Sequence, residues 1–374
     1  MPARRALAIC LAAAAAAATN APAPPPPSLT LKIGVYDYFI DESSPVIFNG
    51  ALLMFESVVR GSPSWAGNWL PAFAACDSYF RVRDMRTLAV IVNMTATCNH
   101  AFGAALVFRP AGARADTLLV TGTPWARANA LRGAWSGQCA AGGNCTVDFF
   151  WSSDAALADA SWRAAAPGVR TPGIGVYNND VVAVPPSAGL PWAWAMALET
   201  TAERARFAVS SAADPTDVSA WALLNDTFTV PPGGDVGSCP SLRHDGAAFY
   251  YLTGGSNIQI LRSRDLIAWE ESPRHVLRHN DSGDCVVAPA WFGAPTGYVP
   301  TGRAAELLAA CGAEGNFGDD SDVDLIEWPE PFGAKGGPPA VLLQYGSGDQ
   351  RTFGFSNLAL FNGTMIAFLQ SFFA

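Results

Sequence analysis

The sequence predicts an all-β chain, specifically a five-bladed β-propeller of four-stranded antiparallel blades. Three observations predict it: one sharp strand–turn–strand unit, four weaker copies, and turn chemistry between them. The sharp unit runs from Ala248 to Trp269. Phe249 to Thr253 is an aromatic and β-branched run, Gly254-Gly255-Ser256 supplies a turn, and Ile258, Ile260 and Arg262 continue as a second alternating run. Ser263 to Leu266 then turns the chain toward Trp269. An Asp beside such a turn accepts backbone N–H bonds, and a Trp just beyond it packs over the sheet edge. The copies are Tyr79 to Asp84, Phe149 to Asp154 with Trp162, Phe207 to Ser211 leading through Asp214 to Trp221, and Phe353 to Leu358. Their irregular separations, roughly 50 to 90 residues, fit blades with loop insertions better than a strict solenoid. A large β-sandwich is the competing fold.

In chain order, residues 1–21 have a basic start at Arg4 and Arg5, an uncharged run from Ala6 to Ala18 and small residues near Ala21, the pattern of a secretory signal peptide. The apolar run is too short for a membrane span, and an organelle-transit peptide would intersperse Arg and Ser. A proline-rich spacer covers residues 22–30, and residues 31–374 read as one propeller domain in which Leu31 to Val35 supplies a closing strand. Blade one is expected to open at Tyr36 to Ile47, blade two near Cys98 to Phe102, and blade three at Val176 to Val182. Blade four opens at Gly237 to Leu242 and blade five at Asp319 to Trp328. Leu358 to Phe373 reads as a strand hairpin turning at Asn362-Gly363. The innermost strand of each blade lines the central channel, so the polar residues opening these strands converge on one end of the ring.

Composition narrows the function. The formal net charge is −9 and no basic cluster stands out beyond the N-terminus, which argues against nucleic acid as a partner. Few charges and twelve tryptophans suit a neutral polar ligand such as an oligo- or polysaccharide, although most of these rings are expected in the core. Sequons at Asn93, Asn144, Asn225, Asn280 and Asn362 fit a secreted glycoprotein, expected as a monomer. Cys76, Cys98, Cys139, Cys145, Cys239, Cys285 and Cys311 remain after cleavage, an odd set in an oxidising compartment. Cys139–Cys145 is the one pairing proposed from spacing. The sequence has no zinc motif, P-loop, Rossmann glycine fingerprint or nucleophilic-serine elbow, and no cofactor is expected.

Through its blade arrangement, Phe249 to Leu252, and Arg262 to Leu266 with Trp269, the chain resembles the five-bladed propeller glycosidases of the arabinanase, β-xylosidase, invertase and levansucrase type. The resemblance implies an axial trio of carboxylates: a first-blade Asp as nucleophile or base, a second-blade Asp, and a third-blade Glu acid. The pattern departs here. Ser44-Pro45 stands at the first-blade Asp-Pro, with Asp41 and Glu42 upstream; the second blade offers Asn99-His100 and the third Asp180. Ser238, before Cys239-Pro240, holds the carboxylate position of the Glu-Cys-Pro in invertase-like members.

Hydrolysis needs one protonated carboxyl and one ionised carboxylate. Asp180 and Asp322 are the preferred catalytic pair, with Asp41 as a third candidate. Asp322 and Asp324 alternate about Val323 and are expected to share a strand face, where repulsion raises one pKa. The competing reading of Asp319 to Asp324 is a solvated acidic loop or a structural calcium turn, although the glycine of an EF-hand is missing. Asn99, His100, Asn179 and Asp324 are assigned to substrate hydroxyls, and Trp65 and Trp69 to stacking on a sugar ring. A glycosidase, a non-catalytic glycan-binding propeller and a protein-interaction scaffold are the functions these residues leave open.

Overall fold

Residues 30–38, 43–59, 76, 78–87, 89–125, 144–200, 205–225, 229, 239–254, 257–278, 320–329, 337–347 and 355–374 are described in the computed structural model. Their strands form five small antiparallel sheets arranged as a five-bladed propeller. Numbered along the chain, β1 (Leu31–Tyr38) belongs to the last blade. Blade 1 is β2 (Ser43–Phe48), β3 (Ala51–Val59), β4 (Ser78–Asp84) and β5 (Val90–Met94). In blade 2, β6 (His100–Ala101) and β7 (Ala105–Phe108) both pair with β8 (Thr117–Pro124), followed by β9 (Asn144–Ser152) and β10 (Arg163–Pro172). Blade 3 is β11 (Val176–Ala183), β12 (Trp194–Thr200), β13 (Ala205–Ser210) and β14 (Trp221–Leu223). Blade 4 is β15 (Ser241–His244), β16 (Phe249–Thr253), β17 (Asn257–Ser263) and β18 (Trp269–Glu271), with β19 (Leu277–Arg278) added to β17. Blade 5 is β20 (Asp320–Trp328), β21 (Ala340–Ser347), β22 (Phe355–Asn362) and the returning β1.

Burial on both faces explains why the strands read as nearly continuous apolar runs. Phe249 and Tyr251 of β16 pack with Phe207 of blade 3, whereas Tyr250 and Leu252 of the same strand pack with Val341 and Leu343 of blade 5. Every blade interface has such a cluster, five around the ring. At the interface of blades 5 and 1 the cluster is joined by a buried ion network. Glu56 shares a face of β3 with Leu52 and Met54 and accepts from Arg81 Nε at 2.5 Å and Arg83 Nε at 2.9 Å.

The five sequence copies are the third strands β4, β9, β13, β17 and β22. Their turn aspartates behave as expected: Asp84 accepts from the N–H groups of Arg86 and Thr87, Asp154 from Ala156 and Ala158, and Asp265 from Ile267 and Ala268. Trp162, Trp221 and Trp269 are buried, each against the preceding blade.

Two boundaries differ from the sequence reading. Tyr36 and Asp37 lie in β1, which pairs with β22 from Leu31↔Leu360 to Tyr38↔Phe355, so blade 1 opens at Ser43. The cause is the edge of β22, whose backbone groups β1 satisfies. The C-terminal segment is not a hairpin. With β21 on one side and β1 on the other, β22 has no free edge for another strand, and the chain forms α1 (Met365–Ser371) instead. Thr364 caps it, its side chain accepting from the Ala367 N–H at 3.1 Å, and Phe368, Leu369 and Phe372 bury against blades 4 and 5.

Candidate active site at the propeller axis

The inner strands β2, β7, β11, β15 and β20 each touch their two neighbours, and residues at their starts enclose one cavity on the axis. Ser43 and Ser44 enter from blade 1, Gly103 from blade 2, Asn178 to Asp180 from blade 3, Cys239 from blade 4, and Asp322 and Asp324 from blade 5. The enclosed volume is about 30 Å³. That admits a water molecule or two.

The backbone around it is irregular. Phe102, Cys239 and Asp322 hold left-handed φ values of 57°, 50° and 52°, each costing on the order of 1–3 kcal/mol for a residue with a side chain. The ladder slips between Val176 and Asn179 of β11 and again between Ser321 and Asp324 of β20. Asp322 and Asp324 therefore reach one cavity through a bulge, not through simple alternation. The same segment forms strand β20 and not a solvated loop, and among the described residues no group of three or more His, Cys, Asp or Glu is placed to hold a metal ion.

Arg243 organises the charges. Projecting from β15, it donates from Nη1 to Asp180 Oδ2 at 2.6 Å and from Nη2 to Asp324 Oδ1, so blade 4 bridges blades 3 and 5. Asp180 also accepts from the Leu242 N–H at 2.6 Å through Oδ2 and from the Val181 N–H at 2.8 Å through Oδ1. Asp324 Oδ1 further accepts from Ser241 Oγ at 3.2 Å and the Leu325 N–H at 2.7 Å. One guanidinium cannot neutralise two buried carboxylates. Burial pushes the Asp180 carboxyl up from 3.8 to about 6; Arg243 opposes this rise and the Asp324 charge adds to it. Burial is thus the main cause of the Asp180 rise. Burial would lower the Arg243 pKa, but the charges of Asp324 and Asp180 outweigh it and raise the group.

A second cluster lies beside the first. Glu199, near the end of β12, accepts through Oε2 from Asn178 Nδ2 at 2.8 Å and from the Cys239 N–H at 2.9 Å. The third blade thus delivers a carboxylate beside Cys239. Asn178 Oδ1 is buried in the cavity wall with no hydrogen-bond partner among the described residues. It is a waiting acceptor for a hydroxyl.

Of the residues singled out from sequence, Asp180, Asp322, Asp324 and Asn179 meet at this cavity. Asn179 is engaged in holding blades 2 and 3 together, donating to the Phe102 carbonyl at 3.0 Å and accepting from Thr121 Oγ1 at 2.5 Å. His100 and Asn99 do not line the cavity. His100 bonds Asp148 Oδ2 at 3.0 Å and the Cys98 carbonyl at 3.1 Å, and Asn99 is exposed, bonding Ser78 and Trp125 through its backbone. Asp41, Trp65 and Trp69 lie outside the described residues. Cys76 and Cys98 form a disulfide. Cys145 is also disulfide-bonded, and Cys139, its proposed partner, lies outside the described residues.

Arg243 and Glu199 were given no role by the sequence reading. The available signals were a single Arg on an inner strand flanked by two carboxylate-bearing neighbours, and a Glu closing an otherwise apolar run.

The fold and site define a five-bladed propeller with a polar, carboxylate-rich axial mouth. No protein-family model matches the chain, and no curated protein matches its sequence. Solved structures are similar to it in fold. The α-L-arabinofuranosidase from Lactobacillus brevis superposes with a TM-score of 0.48 at 9% identity, covering 86% of this chain and 91% of that one. The GH43_1 enzyme from Xanthomonas citri, complexed with xylotriose, gives 0.42 at 8% identity, covering 89% and 90%. The β-fructofuranosidase from Schwanniomyces occidentalis gives 0.38 at 14% identity, and this chain spans only 43% of its length while 70% of this chain is covered. At these identities the likeness is one of fold alone.

Proposed function

We propose that this chain is a secreted carbohydrate-active protein that cleaves a glycosidic bond at the axial mouth by carboxylate acid/base chemistry. The observation that carries the reading is the gathering of Asp180, Asp322 and Asp324 at one cavity, with Asp180 raised to about 6. Near that pH Asp180 is partly protonated, and glycosidic cleavage requires a protonated carboxyl opposite a carboxylate. Asp180 Oδ1, which among the described residues accepts only the Val181 N–H, is the oxygen that can carry the proton to the leaving glycosidic oxygen. Asp322 is the carboxylate that attacks the anomeric carbon or activates water. Asn178 Oδ1 accepts a substrate hydroxyl. The Cys76–Cys98 disulfide supports an oxidising compartment, and among the described residues no helix is long and apolar enough to cross a membrane.

One observation favours a second reading, a non-catalytic glycan-binding propeller: Arg243 clamps both Asp180 and Asp324. Purified protein and its Asp180→Asn and Asp322→Asn variants, incubated with arabinans, xylans, fructans and aryl glycosides, separate the two. Turnover that either substitution abolishes supports hydrolysis. Binding without turnover supports the second reading, and neither turnover nor binding overturns both.

A further inference from the structure

A second recess lies on the face of the ring opposite the axial mouth. The inner strands begin at the axial cavity, so the turn at Asp245 that ends β15 falls on the far face. The turn at Ser263 to Asp265 after β17, and α1 after β22, fall there by the same alternation of strand directions. Together they border a groove of about 700 Å³. Small-ligand sites span roughly 300–1,000 Å³, so this groove, unlike the axial cavity, accommodates a ligand of several rings within the described residues.

Its walls are fixed. The Asp245 carboxylate accepts from Tyr250 Oη at 2.9 Å, Gln370 Nε2 at 3.0 Å, and the N–H groups of Ala247 at 2.8 Å and Ala248 at 2.9 Å. Arg262 lies 4.3 Å from the Phe373 ring centroid and donates to Glu270 at 2.6 Å. Arg264 is exposed and makes no ion pair among the described residues. The carboxylates of Asp245, Asp265 and Glu270 are nearly balanced by the guanidiniums of Arg262 and Arg264. Such a wall offers a polyanion no excess of positive charge. The four donors on Asp245 saturate it, but Asp265 Oδ2, Glu270 Oε1 and the Arg264 guanidinium keep hydrogen-bonding capacity among the described residues, and acceptors beside donors match hydroxyl groups, which donate and accept at once.

From this we infer that the groove is a second binding site for a neutral, hydroxyl-rich ligand, a segment of a few sugar residues in a glycan chain. It holds the chain without reacting with it, and it stands apart from the axial reading. Calorimetric titration of the full protein with xylohexaose, arabinohexaose and an inulin-type hexaose tests it. The groove variants are Ala247→Trp, which fills the recess from an exposed turn, and the double variant Arg264→Ala with Gln370→Ala; Asp322→Asn is the axial control, and melting curves verify that each is folded. The expected result is binding by the wild type that weakens about tenfold in both groove variants, the loss of roughly one well-made polar contact, and persists in Asp322→Asn. Binding lost only in Asp322→Asn, binding unchanged in the groove variants, or no binding of any hexaose overturns the proposal. The first of these outcomes would leave the axial reading standing.

Discussion

Arg243 is the residue on which the axial charges depend. Replacing it with Ala strands two buried carboxylates, which by precedent for broken buried pairs costs about 3–5 kcal/mol. A fall of that size in unfolding free energy, measured with urea, is the expected outcome; Arg243→Lys restores only part, because an ammonium cannot fork between Asp180 and Asp324. Asp180 gives a prediction with a definite sign. Its folded value of about 6 lies above the ordinary 3.8, so the folded state holds this proton more tightly than the unfolded one. The associated stability is fully present below 3.8 and is lost as pH rises through about 6. Asp154 and Asp265 slope the other way: backbone donors lower the first, and at the second burial acts upward but the backbone donors and Ser263 together outweigh it. Subtracting the pH–stability profile of Asp180→Asn from that of the wild type isolates the first effect, and a flat difference would refute it. The inner-strand carboxylates were legible in the sequence because they open strands that a propeller must aim at its axis. Arg243 was not, because its role depends on which blades stand next to each other.

At the scale of the element, the repeated unit is a third strand, an aspartate-bound turn and a tryptophan that packs back on the preceding blade. Trp269 stacks on Phe207 with centroids 5.3 Å apart and meets Tyr251 edge-on at 5.8 Å. Trp269→Ala is expected to cost about 3–5 kcal/mol through the cavity it leaves, whereas Asp84→Ala, which frees two exposed turn N–H groups, costs only about 1 kcal/mol. Denaturant midpoints should rank the two in that order. The unit was visible in sequence because aspartate and tryptophan do different jobs at fixed places. The terminal helix was hidden because Asn362-Gly363 is also a hairpin signal; only the pairing of β22 on both edges excludes a further strand. The bulges of β11 and β20 were equally hidden, since alternation says nothing of where a ladder slips.

For the whole molecule, closure of the ring rests on β1 reaching β22 and on the apolar cluster of Leu52, Met54, Leu342 and Leu358 between blades 5 and 1. A chain beginning at residue 31 should melt as the full chain does, and one beginning at residue 39, which lacks β1, should lose the cooperative transition. Equal melting of the two would show that the strand is dispensable. The number of blades was legible from five echoes, and the closing strand from a β-rich run after the proline spacer. Leu31 faces Leu360, so β1 bonds to a strand synthesised only after the four intervening blades. Until β22 has been made, the nascent chain must carry β1 unpaired, an adhesive backbone edge open to any neighbouring chain. Biogenesis of this protein is therefore most exposed to aggregation in the interval between the emergence of β1 and the arrival of β22, and chaperone attendance during that interval would limit its yield.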